Sequence, residues 1–155
     1  MIGLDLPDHG VKTKQGPQGT LVFDPWRRRW VALTPEEWVR QHFLNHLVQD
    51  LGCPASMIAV ERGLTLNGLS KRADALIHGP DGTPLALVEC KAPTVKLVQA
   101  TFDQAARYNL VFRVPVLLVT NGRTHYACAI DRTADQIRFL DKLPDYAAMT
   151  ALALT

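Results

Sequence analysis

A chain of 155 residues with 47% hydrophobic and 21% charged side chains has the size and composition of one soluble domain around one core. Its net charge of +2 is too small to announce a nucleic-acid binder, its apolar runs are too short to cross a membrane, and its N-terminus lacks a signal-peptide pattern. Cys53, Cys90 and Cys128 are odd in number and widely spaced, which excludes a disulfide framework and a zinc-ligand spacing and points to a reducing, cytoplasmic setting.

Residues 1–19 carry four glycines without a period and are expected to form a flexible lead-in to a single domain over 20–155. Residues 20–24 and 29–33 predict a short hairpin turning through Pro25 and Trp26. A helix follows. Thr34 suits the N-cap, Pro35 the first helical position, and Glu37 the capping box. Val39, Phe43, Leu44, Leu47, Val48 and Leu51 form its apolar stripe, and Gly52 with Pro54 ends it. Strands are expected over 57–66, 71–78 and 84–91, with Asn67-Gly68 and Pro80-Asp81-Gly82 as the turns. Thr94 is expected to cap a second helix over 95–109 that buries Val95, Val98, Phe102 and Ala105. The nearly all-apolar 114–120 predicts a strand covered on both faces, joined to the third strand by a parallel, right-handed crossover. Further strands over 124–130 and 136–140 and a closing helix over 146–154 complete an α/β sandwich: a central mixed sheet with an antiparallel meander, flanked by helices.

The most informative stretch runs from Arg72 to Lys91. A two-residue turn at Asp81-Gly82 makes paired residue numbers sum to 163, which sets Asp74 opposite Glu89 and Arg72 opposite Lys91, all on one face. Two facing carboxylates lie about 5 Å apart at Cβ and repel. A hard divalent cation removes that repulsion, so the pattern suggests a metal site with a lysine beside it.

The order helix, three-strand meander, helix, strand, with Asp74 and Glu89-Cys90-Lys91 on the second and third strands, resembles the PD-(D/E)xK nuclease superfamily. The segments Leu33-Thr34-Pro35-Glu36-Glu37-Trp38-Val39-Arg40, Lys71-Arg72-Ala73-Asp74, Val88-Glu89-Cys90-Lys91-Ala92-Pro93, Gln104-Ala105-Ala106-Arg107-Tyr108 and Val119-Thr120-Asn121-Gly122 look like the N-terminal nuclease domain of type I restriction enzyme R subunits. An E-x-K or a Q-x3-Y spacing alone is weak, since each is expected roughly 0.15 times by chance in a chain of this composition. Both in order, with an aspartate in register, form a specific pattern.

The resemblance implies an α-β-β-β-α-β core of restriction-endonuclease type and metal-dependent hydrolysis of DNA. Asp74, Glu89 and the Cys90 carbonyl would hold Mg²⁺ or Mn²⁺, and Lys91 would position water and stabilise the transition state. A first-helix glutamate would face the cleft. Glu37 competes for that place with its own capping duty, and Glu36 is the alternative. Gln104 and Tyr108, four apart on one helical face, would line the cleft and touch DNA, with Arg72 beside the acids. The plain alternatives are a surface ion pair of Glu89 with Lys91 or Arg72, and a solvent-facing Gln104–Tyr108 pair.

Arg40 lies within an apolar stripe and needs a partner, for which Glu36 one turn earlier is the candidate. His42 and His46 have a metal-like spacing but no third ligand, and are assigned to the polar side of the helix. Trp26, Trp30 and Trp38 are assigned to packing. No G-x4-G-K-[ST] occurs, so no motor is carried over. The leading expectation is a stand-alone Mg²⁺-dependent DNA endonuclease working with a separate specificity or motor subunit. A homodimer would serve to cut both strands. The competing expectation is a non-catalytic DNA-binding or assembly module with a nuclease fold, and a third is an RNA- or nucleotide-processing enzyme.

Overall fold

The computed structural model describes residues 3–60, 63–66, 69–131 and 136–154, with side chains described except at 63–66, 69–72 and 108–112. The strands are β1 (Thr13–Gly16), β2 (Gly19–Asp24), β3 (Arg29–Ala32), β4 (Ile58–Val60), β5 (Gly63–Leu66), β6 (Leu69–Arg72), β7 (Ala75–His78), β8 (Pro84–Cys90), β9 (Val116–Thr120), β10 (His125–Asp131) and β11 (Gln136–Phe139). The helices are α1 (Pro35–Gln49), α2 (Gln99–Phe112) and α3 (Tyr146–Ala153). A six-stranded sheet of order β11-β10-β9-β8-β7-β4 forms the centre, and only its β8–β9 pair is parallel. The connection from β8 through α2 to β9 is the crossover expected from the apolar run of β9, whose five residues are all buried.

Alternation along the strands feeds two cores. Val88, Val116 and Leu118 pack with Phe43, Leu44 and Leu47 of α1 and Met149 of α3. Leu87, Leu117 and Val119 face the other way, with Phe102 and Ala105 of α2. Helix α1 starts as its sequence predicts, with the Glu37 N–H donating to the Thr34 hydroxyl at 3.0 Å. Gly52, in the left-handed region at φ +74°, follows its end.

Several expectations are corrected. The lead-in stretch 1–19 includes β1, which pairs with β2, and Leu4 and Leu6 pack on the core. The expected strand 57–66 is divided between β4, on the central sheet, and β5, which pairs with β6 in a separate two-stranded sheet. Its Asn67-Gly68 turn lies outside the described residues. The strand 71–78 breaks at Ala73 and Asp74, so Arg72 pairs with Gly63 of β5 and not with Lys91. Helix α2 starts four residues late because the Asn121 amide captures the Val95 carbonyl at 2.8 Å, and the Thr101 hydroxyl accepts the Val98 N–H. Thr94 is therefore not the cap, and Val95 and Val98 are exposed rather than buried.

The register between β7 and β8 has a two-part origin. Ala75↔Val88, Leu76↔Leu87 and Ile77↔Ala86 all sum to 163, as expected. The turn is not the two-residue one. The Gly79 N–H donates to Thr83 O, and the Gly82 N–H to Gly79 O, so the loop has three residues and ends with Gly82 at φ +85°. A bulge between Ile77 and His78 supplies the missing residue and restores the register before it reaches Asp74.

Gly122 ties the N-terminal segment to this frame. Its carbonyl accepts the Asp5 N–H at 2.8 Å, its φ is +83°, and a Cβ there would stand 2.7 Å from Leu4 Cδ2 and 3.0 Å from Val39 Cγ2. Gly52 has a similar φ and nothing within 4 Å. Gly52→Ala should therefore lose about 1 kcal/mol from backbone strain alone. Gly122→Ala should lose about 2–4 kcal/mol, strain and overpacking together. Urea denaturation of the two variants checks the difference.

Candidate active site

Asp74 and Glu89 are buried at the same end of the sheet, 8% and 6% exposed. Asp74 sits in the bend between β6 and β7, where its Oδ2 accepts the Cys90 N–H at 2.7 Å. A side chain thus takes the strand-to-strand hydrogen bond that the broken ladder leaves unmade. Its Oδ1 accepts from Arg40 at 2.9 Å. Glu89 Oε1 meets Lys91 Nζ at 3.2 Å. Among the described residues nothing hydrogen-bonds the buried Glu89 Oε2. Lys91 leaves the strand, its N–H held by Thr120 O at 2.8 Å, and its side chain returns over the acids.

The electrostatics follow from burial. Burial, then the charge of Asp74, pushes the Glu89 carboxyl up to about 7 despite Lys91. Burial also raises Asp74, although the Cys90 N–H and Arg40 hold it back. For Lys91, burial would lower the ammonium, but Glu89, Glu36 and Asp74 outweigh it, and its pKa rises. Cys90 is fully buried and its thiol is pushed well up, so its side chain is inert and only its backbone faces the chemistry.

The structure separates the two first-helix glutamates. Glu37 turns away from the acids: Oε1 accepts from Arg27 at 2.5 Å and Arg40 at 3.3 Å, and Oε2 from Gln41 at 3.2 Å. Arg27 also bonds the fully buried Asp24. An ion chain therefore runs Asp24, Arg27, Glu37, Arg40, Asp74. Glu36 is the glutamate electrostatically coupled to the acids: its carboxyl is raised by burial and then by Asp74, and its charge is felt by both Glu89 and Lys91. Arg40 does need a partner, as its place in the stripe implied, but its bonds to Glu37 and Asp74 replace the expected Glu36 pairing. Arg27 gave no sequence signal beyond belonging to a basic triplet.

Gln104 is exposed on α2, while the side chain of Tyr108 lies outside the described residues, as does that of Arg72. His42 is buried against Trp38, with ring centroids 4.2 Å apart, and not on the polar side of the helix. His46 bonds Asp50 at 2.7 Å. Among the described residues no group of three His, Cys, Asp or Glu side chains is arranged to hold a metal.

A family model described as the type I restriction enzyme R protein N terminus matches residues 35–144. The chain belongs to this family. The matched span opens at the first residue of α1, contains Asp74, Glu89 and Lys91, and closes before α3. The same fold occurs in a solved fragment named as a putative HsdR subunit of a type I restriction enzyme from Vibrio vulnificus YJ016. That structure is 22% identical with a TM-score of 0.56, over 79% of this chain and 26% of that one. The chain thus spans about a quarter of the fragment's length. No curated protein matches it.

Two outcomes test this electrostatic description. With its folded pKa near 7 against an ordinary 4.5, Glu89 binds an extra proton in the native state between those values. Its contribution to stability is present below pH 4.5, falls as pH rises, and is fully lost above 7. In EDTA, Glu89→Gln should therefore be more stable than wild type by about 2 kcal/mol at pH 8 and equal to it at pH 4. Denaturant titrations at the two pH values check the sign. Arg40→Met takes the guanidinium from buried Asp74, while Glu37 keeps Arg27, and should lose about 3 kcal/mol; adding Asp74→Asn should recover part of that loss.

Proposed function

We infer that this domain hydrolyses phosphodiester bonds of DNA with the help of a divalent metal ion, Mg²⁺ or Mn²⁺. The observation that carries the inference is the buried Asp74–Glu89 pair, in which, among the described residues, one Glu89 oxygen has no hydrogen-bond partner and the other meets a lysine. Membership of a restriction R-protein family supports it. A buried carboxyl oxygen without a hydrogen-bond partner is a costly feature for a fold to keep, and a hard cation that holds the carboxyl ionised satisfies it. Asp74, Glu89 Oε2 and the Cys90 carbonyl are the oxygen donors that would hold the ion. Two carboxylates are enough, because magnesium retains several waters. Once bound, the ion supplies a polarised phosphate and a more acidic water.

The chain's own groups do the rest. Lys91 has a raised pKa and stays protonated at neutral pH, so it acts as a donor and a positive charge, not as a general base. It is placed to stabilise the charge that grows on the phosphate oxygens. Asp74 is oriented through both oxygens, by Cys90 and by Arg40, which fixes it before substrate arrives. Glu36 adds a third negative group at the mouth of the cleft. Glu37 acts through Arg40 as a positioning residue.

One observation favours the second expectation, a nuclease-like fold kept for DNA binding or assembly. Arg40 and Lys91 each occupy one oxygen of an acid, so the protein already supplies part of the compensating charge. Cleavage of supercoiled plasmid with Mg²⁺ or Mn²⁺ separates the two. The catalytic proposal expects nicked circles from wild type, none in EDTA, and at least about a hundredfold less from Lys91→Ala. Linear product would indicate that two copies act together. A folded protein that neither nicks nor gains thermal stability from the metal would leave the binding module. Sequence choice and translocation would belong to other subunits or segments.

A further inference from the structure

The register of the central sheet puts an exposed aromatic cluster in line with the acids. Glu89 pairs with Val119, and Val119 pairs with Tyr126, so the three side chains form one row on the α2 face. Strands lie about 4.8 Å apart, which sets Tyr126 roughly 10 Å from Glu89 along the backbone. Phe139 pairs with Cys128 on the same face. Tyr126, Phe139 and the buried Phe102 of α2 contact one another edge to face, with centroids 5.1 to 6.1 Å apart. Phe102 fixes the other two from below, while Tyr126 is 36% exposed and Phe139 48%. Ile137, two residues before Phe139 on that face, is 37% exposed.

Isolated exposed apolar residues are ordinary, but a braced aromatic group beside buried acids is not. Charge narrows the choice of occupant. Residues 91–139 hold seven lysines and arginines against three aspartates, so this third of the chain is positive while the remainder is slightly negative. Exposed Arg123 lies in the turn into β10, whereas Arg138, next to Phe139 in sequence, alternates to the other face of β11. Rigid, partly exposed aromatic rings in a net-positive stretch of chain suit unstacked bases of a single strand. In a continuous duplex the bases are already stacked, and their faces are not on offer.

We propose that Tyr126 and Phe139 form a stacking platform for single-stranded DNA, a few nucleotides from the phosphate held at Glu89. The inference rests on the nuclease proposal and sharpens it: the preferred substrate has an unpaired segment, such as a flap, a frayed end or a single strand.

The test is fluorescence anisotropy in EDTA, with a labelled sixteen-nucleotide oligo-dT and a blunt duplex of equal length. Wild type should bind the single strand more tightly. Tyr126→Ala with Phe139→Ala should lose about tenfold on the single strand and little on the duplex, while Tyr126→Phe should keep full affinity. A 2-aminopurine placed in the strand should be quenched by wild type and not by the double variant. Equal losses on both DNAs, or no loss from a double variant with native circular dichroism, would overturn the platform. So would a change in mass by light scattering, which would make the patch an interface between copies. The measurement needs no hydrolysis. Failure of plasmid nicking with stacking intact would sink the nuclease alone, and the reverse would sink only this inference.

Discussion

The site depends on one hydrogen bond, from the Cys90 N–H to the Asp74 carboxylate. It occurs where the ladder between the second and third meander strands fails. Had Ala73 and Asp74 continued the strand, Cys90 would have bonded backbone, and Asp74 would have been an ordinary side chain on the sheet. The break instead lets a carboxylate close the ladder. The same carboxylate therefore satisfies a buried peptide group, receives Arg40, and faces Glu89. Structural and chemical duties converge on one residue, so its position is over-determined by its surroundings.

That convergence explains the unusual amount of buried charge. A lone buried ion is prohibitive, and even a buried pair often gains nothing over a packed apolar pair. Here Asp24, Arg27, Glu37, Arg40 and Asp74 alternate in sign from the β2–β3 hairpin to the acids. Alternation keeps each carboxylate beside a guanidinium, and arginine stays charged at any working pH. Glu89 lies outside the chain. Among the described residues its one ion-pair partner is Lys91, and burial with the nearby charge of Asp74 lifts its carboxyl to about 7. The protein compensates the acid that must stay in place and leaves under-compensated the acid with a free oxygen.

Much of this was legible in the sequence, and the reasons differ by element. Helix α1 was legible because capping is local: Thr34, Pro35 and Glu37 interact within one turn. Strand β9 was legible because a short, continuously apolar run between turn residues suits a strand covered on both faces. The register that brings Asp74 toward Glu89 was also recovered, but through an incorrect turn, because a bulge at Ile77/His78 cancels the longer loop. A pairing sum cannot reveal two compensating errors. Helix α2 was misplaced at its start since the capture of Val95 by Asn121 joins residues 26 apart in sequence. The roles of Glu36 and Glu37 were not separable either. They are adjacent on the helix, and the guanidinium that claims Glu37 comes from Arg27, on another element.

The ion chain reaches the acids from the α1 side of the sheet, and the aromatic row leaves them on the α2 side. On the α1 side, acids and guanidinium groups alternate in ion pairs from Asp24 to Asp74. On the α2 side the row Glu89, Val119, Tyr126 runs outward from a carboxylate to an exposed ring. The acids are thus bordered by an ionic network on the α1 side, and partly exposed aromatic rings lie farther along the sheet on the α2 side. Strands β10 and β11 lie outward of the parallel β8–β9 pair, and their Tyr126 and Phe139, braced by Phe102 of α2, stay partly uncovered.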